Sequence, residues 1–215
     1  MTENRDQVST DNDANFIHRP ASPWTSVFEL IKTVTFVLVI AFLIRHYLLQ
    51  PFVVDGASME PNFHHQEYIL VDKLGYRLHE PHRGDVIVFH PPGRQDNFIK
   101  RIIGLPSETV TVAGHQILVD GQVVVENYLP DRGQENIPAQ SYTVGENEFF
   151  VMGDNRDYSK DSRELGPIPV ERIIGRAWLV LFPLNYLTVV SAPTYPDLSG
   201  SNPQAVVHQS TTQAL

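Results

Sequence analysis

A hydroxyl, a strand lysine and a loop crowded with charge are the parts of this sequence that could do chemistry. The hydroxyl is Ser58, in Val54-Asp55-Gly56-Ala57-Ser58-Met59-Glu60-Pro61. Gly56 and Ala57 are small enough to let a substrate backbone approach Ser58, and Pro61 fixes the direction in which the chain leaves. Glu60 stands where a Gly-x-Ser-x-Gly elbow needs its second glycine, so that nucleophile motif is absent. By itself the segment reads as an ordinary loop. The lysine is Lys100, in Phe98-Ile99-Lys100-Arg101-Ile102-Ile103-Gly104. Strand periodicity puts Phe98, Lys100 and Ile102 on one face and Ile99, Arg101 and Ile103 on the other. Large apolar neighbours on its own face make Lys100 a candidate for burial, which disfavours the ammonium and lowers the pKa. An unperturbed lysine costs roughly 4.6 kcal/mol to deprotonate at pH 7, so desolvation is what would make Lys100 a general base. Taken alone, an edge-strand lysine with its head in solvent is the simpler reading. The charged loop is Gly153-Asp154-Asn155-Arg156-Asp157-Tyr158-Ser159-Lys160-Asp161-Ser162-Arg163. A calcium loop would need a central glycine and a distal glutamate, and here three cations interrupt the acids. What remains is a surface loop of self-cancelling ion pairs, or a loop turned inward to pin active-site groups.

These segments need elements to hold them. From Gln50 to about Pro193 the chain runs in short β-like stretches bounded by Gly, Pro, Asn and Asp. The candidates are Tyr68–Asp72, Asp85–His90, Phe98–Gly104, Glu108–Val112, Gln116–Val119, Gln122–Glu126, Phe149–Met152 and Ile173–Phe182. Asp120-Gly121 is a strong hairpin signal, and Ala113-Gly114 is expected to turn the pair before it. No long amphipathic helix interrupts them, so residues 50–193 are expected to form a mainly β, antiparallel domain. Ahead of it lies the most apolar stretch, residues 24–49. Its uncharged centre, Thr33–Ile44, is short for a bilayer, but Val27–Leu49 is long enough if Glu29, Lys32, Arg45 and His46 reach outward to the interfaces. Arg45-His46-Tyr47 stands where a cleavable leader would place small residues, which favours an uncleaved transmembrane anchor. Residues 1–23 read as a polar tail, with four acids against two arginines, and residues 194–215 as a disordered one rich in Ser, Thr, Gln and Pro.

Composition excludes several classes. The chain has 215 residues and no cysteine, so it has no disulfide, thiolate nucleophile or cysteine-ligated zinc. A net charge of −9 argues against a general nucleic-acid binder. Most of the nine histidines cluster on loops, as in His64-His65 and His79-x-x-His82, without a carboxylate or cysteine set to complete a metal site.

Taken together, in order and behind one anchor, the segments resemble the type I signal peptidases, the bacterial leader peptidases. The resemblance rests on Ser58-Met59-x-Pro61, Arg83-Gly84-Asp85-Val86-Ile87-Val88-Phe89, Ile99-Lys100-Arg101-Ile102-Ile103-Gly104-Leu105-Pro106 and Gly153-Asp154-Asn155-Arg156-Asp157 with Ser159, Asp161, Ser162 and Arg163. It implies a fold of two antiparallel β-sheet regions behind one N-terminal transmembrane helix. It implies a serine endopeptidase that cuts signal peptides from exported preproteins after small residues at −1 and −3, with no metal or cofactor. Ser58 falls on the nucleophile, Lys100 on the general base and Ser159 on the serine that orients the lysine. The Ser58 backbone N–H falls on one oxyanion donor. Gly56 stands where many members supply a second donor from a serine hydroxyl. Gly56, Met59, Pro61, Gly153 and Arg156 fall among the supporting positions, and ion pairs are implied for Arg101 with Asp154 and for Asp161 with Arg163. The family's Pro-Gly-Asp after the lysine strand is Pro106-Ser107-Glu108 here, and its asparagine before the second serine is Tyr158. Implied partners are preproteins, the lipid bilayer and the export translocon, but no nucleic acid. The β domain should face the outer side of a plasma or thylakoid-like membrane. Met59 and Phe52, near the anchor, are candidates to dip into that bilayer.

Three rivals differ in class. Self-cleaving Ser–Lys repressors carry an upstream DNA-binding helix-turn-helix, whereas this chain has its apolar run there. A Ser/His/Asp hydrolase lacks a recognisable triad context. A membrane-tethered β adhesin or an inactive paralogue would have no use for Ser58, Lys100 and Ser159 together.

Overall fold

The computed structural model describes residues 23–43, 48–131, 133, 137–195 and 198. They fall into two units divided at Phe42/Leu43. The first is helix α1, Pro23–Leu43. Its 21 residues reach about 31 Å at 1.5 Å each, the thickness of a bilayer's hydrocarbon core. Ser26–Leu43 has a mean hydropathy of 2.1, and none of it is buried. Glu29 and Lys32 pair at 2.7 Å along the helix surface, so each charge is partnered within α1. The anchor expected over residues 24–49 runs too far at its C-terminal end, because Leu49 already opens strand β1, Leu49–Val53. The expected polar tail up to residue 22 lies outside the described residues, as do residues 44–47.

The second unit is mainly antiparallel β. Beyond β1 its strands are β2 Tyr68–Asp72, β3 Val86–Phe89, β4 Phe98–Gly104, β5 Thr109–Ala113, β6 Gln116–Val119, β7 Gln122–Val123, β8 Gln140–Thr143, β9 Glu148–Met152, β10 Ile168–Pro169, β11 Ile173–Phe182 and β12 Thr188–Val189. An eight-stranded sheet runs β1-β2-β11-β3-β4-β9-β10, with β12 added to β11, and a four-stranded sheet runs β7-β6-β5-β8. Asp120 and Gly121 both have positive φ, 49° and 79°, as the tight turn between β6 and β7 requires. The preceding turn falls one residue later than expected, on Gly114-His115, because Ala113 still pairs with Gln116.

Strand β4 lies inside the sheet, between β3 and β9. It therefore feeds three clusters of buried side chains. Ile99 packs with Met59, Phe63, Val71 and Val88. Ile103 packs with Val110, Ile117, Phe150 and Met152 between the sheets. Ile102 packs with Ile87, Phe89, Phe149 and Ile168. Each buried isoleucine contributes roughly 1.5–3 kcal/mol, so β4 is held rigidly along its length. Lys100 pairs with Ile87 of β3, and the ladder to β9 begins one residue later, at Arg101; its side chain is nevertheless buried, so a lysine head in solvent is excluded.

Two further expectations need correction. Met59 is fully buried in the first cluster and cannot enter a bilayer, while Phe52 is half-buried against the same cluster. The β domain also extends past Pro193: Tyr195 and Leu198 are buried in the second cluster because their apolar side chains complete it. Residues 199–215 of the expected tail lie outside the described residues. Of the two departures from the family pattern, Ser107 adopts φ 68° in the place of a glycine. Glu108 accepts from Leu105 N–H at 2.7 Å and pairs with Arg83, closing the turn after β4.

Candidate active site

Ser58 sits in the loop between β1 and β2. The two strands end in register, Val53 opposite Tyr68, and two further backbone bonds, Val54 N–H to Glu67 and Gln66 N–H to Val54, clamp the neck of the loop. Inside it, Asn62 and Phe63 N–H donate to the Met59 carbonyl, and the Met59 and Phe63 side chains anchor the turn in the core. Ser58, one residue before the Met59 anchor, is thereby presented half-exposed. Pro61 is exposed, joined to Glu60 by a cis peptide. Gly56 has φ +89°, and its N–H donates to His65 Nδ1 at 3.1 Å.

Lys100 comes to this loop from β4, three strands further along the same sheet. Its Nζ lies 2.7 Å from Ser58 Oγ and 2.8 Å from the Ile99 carbonyl. The Phe98 ring lies 5.4 Å away. Lys100 is 3% exposed. Burial lowers its pKa from 10.5 to about 8, against the pull of Asp161 and Asp154, whose charges favour the ammonium, and with the help of Arg163. An amine with a pKa near 8, touching a hydroxyl, can exchange a proton with it at neutral pH. The pair opens on a cavity of about 290 Å³ whose wall includes Phe52, Ile69, Val88, Phe98 and Ile99. Its size and apolar wall suit a few small side chains.

The charged loop turns inward. Asp154, wholly buried, takes Arg101 through two bonds of 2.8 and 2.6 Å and accepts from Asn62 at 2.9 Å. Arg101 also donates to the Gly84 carbonyl and lies 4.3 Å under the Tyr128 ring. Asp161 accepts from Gly153 N–H at 3.0 Å and from Arg163 Nε at 2.9 Å. Burial pushes the Asp161 carboxyl up, but the bonds and charge of Arg163 outweigh it and hold the pKa below the usual value. Arg156 pairs with Glu126 and donates to the Gly153 carbonyl at 3.0 Å. Gly153 itself packs so closely that a Cβ there would strike the Ser58 carbonyl and Ser159 Oγ. Asn155 then ties the two loops together, its N–H to the Ser58 carbonyl at 3.1 Å and its amide to the Ala57 carbonyl at 3.0 Å.

Ser58, Lys100, Arg101, Gly153, Asp154, Arg156, Asp161 and Arg163 are thus brought into one contiguous arrangement. The expected contact from Ser159 to Lys100 is not made. The Ile99 carbonyl bonds the amine instead, and Ser159, its Oγ buried, helps hold the Asp161 carboxyl below its usual pKa. Four contributors went unread in the sequence: Asn62, Glu126, Tyr128 and Asn155. Asn155 stands inside the charged loop and could have been found there. The other three come from distant loops, and no spacing signals them.

The whole arrangement falls within residues 27–182, which match the family model described as "Signal peptidase, peptidase S26". The signal peptidase I of Leptolyngbya laminosa is 38% identical over 194 residues, 81% of this chain and 92% of that protein. The probable signal peptidase I-1 of Synechocystis sp. is 38% identical over 172 residues, 76% of this chain and 87% of that one. The signal peptidase I of Bacillus licheniformis is 36% identical over 169 residues, 74% of this chain and 91% of that one. The chain belongs to the signal peptidase family and is a type I signal peptidase, a serine endopeptidase.

Proposed function

We propose that this protein removes signal peptides from exported preproteins with Ser58 as nucleophile and Lys100 as general base, cutting after small residues at −1 and −3. The observation that carries this reading is the 2.7 Å contact between Ser58 Oγ and a lysine amine that is almost wholly buried. Neutral Nζ takes the hydroxyl proton as Oγ attacks the peptide carbonyl, and the resulting ammonium gives that proton to the leaving amine. A water activated by the same amine then hydrolyses the acyl-enzyme. The Ser58 N–H is the oxyanion donor; Gly56 has no hydroxyl to add a second. Ser159 orients the amine during turnover. Its Oγ is buried and packs against Gly153, next to the Ser58 carbonyl, which supports this role.

The apolar helix α1 serves as an uncleaved anchor, with the β domain on the outer side of the plasma membrane or of an internal membrane such as a thylakoid. Exposed Phe182, Leu184, Leu187 and Val189, rather than Met59, form the apolar surface suited to lipid contact. The export translocon is the source of the preprotein. The test is cleavage of a preprotein in detergent or vesicles, with sequencing of the new N-terminus. A cut after a small-x-small site is expected, lost when −1 or −3 is made bulky. Equal cutting of the bulky variants would refute the assigned specificity.

A further inference from the structure

The chain's last described residues close over the back of this site. Tyr195 and Leu198 are each 8% exposed, in the cluster that also holds Ile103, Phe150 and Met152. The Tyr195 ring meets Tyr128 edge-on, at 6.5 Å and 87°. Tyr128 in turn lies on the Arg101 guanidinium, 4.3 Å from it. A second route runs through Gly84. Its carbonyl accepts from Arg101 at 3.0 Å, and Pro193 and Tyr195 pack so tightly against its Cα that a Cβ would come within 2.9 Å of both. Arg101 is the neighbour of Lys100 on β4, and Asp154, its partner, also reaches Asn62 of the Ser58 loop.

We propose that Tyr195 is a positioning residue of the proteolytic site: with Pro193 and Leu198 it seals Tyr128 and the Arg101–Asp154 pair from water, and so keeps the surroundings of Lys100 dry. A buried ion pair depends on the exclusion of water, because its mutual attraction is strong only in a low-dielectric setting. Opening this end of the domain hydrates Arg101 and Asp154 and raises the polarity around the amine. The groups whose charge reaches Lys100 are Asp161, Asp154 and Arg163, and Asp96 and Lys160 line the cavity beside it. Of these, Asp154 is joined through Arg101 to Tyr128 and Gly84, the two groups the Tyr195 ring packs against; water screening its charge would lower the amine's pKa, but the loss of burial, the larger influence on Lys100, raises it. The ring carries this role through its packing on Tyr128 and Gly84.

The inference rests on the Ser58–Lys100 reading. Its test is the pH dependence of kcat/KM for the full chain in detergent, comparing wild type with Tyr195→Ala and Tyr195→Phe. Tyr195→Ala is expected to move the rising limb up by roughly half a pH unit or more. That is roughly a threefold or greater loss at pH 7 which disappears on the alkaline plateau. Tyr195→Phe is expected to keep the wild-type limb. If Tyr195→Ala does not fold, Tyr195→Leu keeps an apolar plug without the ring and is expected to shift the limb in the same direction. An unmoved limb in the variant that folds, a loss equal at every pH, or a Tyr195→Phe as impaired as Tyr195→Ala would each overturn the inference while leaving the dyad standing. A wild type with no limb near pH 8 would overturn both.

Discussion

The pH dependence of catalysis follows from the burial of Lys100. Deprotonating an ordinary lysine, with its pKa at 10.5, costs about 4.8 kcal/mol at pH 7. With the pKa brought to about 8 by burial, the cost falls to about 1.4 kcal/mol. About one enzyme in eleven then carries the neutral amine at pH 7, against roughly one in three thousand for an unperturbed lysine. The value of kcat/KM on a short peptide substrate without titrating groups should rise about tenfold per pH unit up to about pH 8 and then level off. The assay is a continuous cleavage measurement from pH 5.5 to 10, with folding checked at both extremes. A rate still climbing tenfold per unit at pH 10 would refute the claim that burial tunes this amine.

The same burial has a cost to stability, with a defined sign. The folded-state pKa lies below the unfolded one, so between about pH 8 and 10.5 the unfolded chain binds more protons and stability rises with pH. Lys100→Met should therefore be more stable than wild type by about 3 kcal/mol at pH 7, a gain that fades above pH 10; urea unfolding at both pH values checks it, and no gain at pH 7 would count against the burial penalty. Asp154→Ala leaves the Arg101 guanidinium buried and unpaired, and should cost about 3–5 kcal/mol in the same assay; a cost below about 1 kcal/mol would mean that the pair is hydrated. Gly153→Ala drives a methyl into the Ser58 carbonyl, and should lower kcat by roughly a hundredfold, while a thermal melt still shows a cooperative fold; a normal kcat would show that the two loops are not locked together.

Much of the fold can be read from local pattern. Tyr68–Asp72, Phe98–Gly104 and Ile173–Phe182 carry dense β-branched and aromatic runs, and the structure has strands with those bounds. The strands that escaped notice lack that signal. β1 contains Pro51, β8 is Gln-Ser-Tyr-Thr, and β10 and β12 have two residues each. Their pairing is decided by neighbours distant in sequence, which no window of local residues contains. The same division applies to the site. Ser58, Lys100 and the charged loop have local signatures, and their meeting was inferred from a family resemblance rather than from spacing. The burial of Lys100 could not be read from Phe98 and Ile102 alone, because it depends on the Ser58 loop, distant in sequence, closing on the amine. Tyr195 follows a Pro-rich stretch that resembles a tail, and only the second cluster, which it completes, explains its burial.

The most direct test of the account is preprotein cleavage by wild type, Ser58→Ala and Lys100→Met, side by side in one detergent, with near-ultraviolet circular dichroism to establish that all three are folded. The account predicts cleavage by the wild type alone, with both variants reduced by at least about a thousandfold. A folded Lys100→Met that cuts at the normal rate and the normal site would contradict it, and would send the search for the base to another residue.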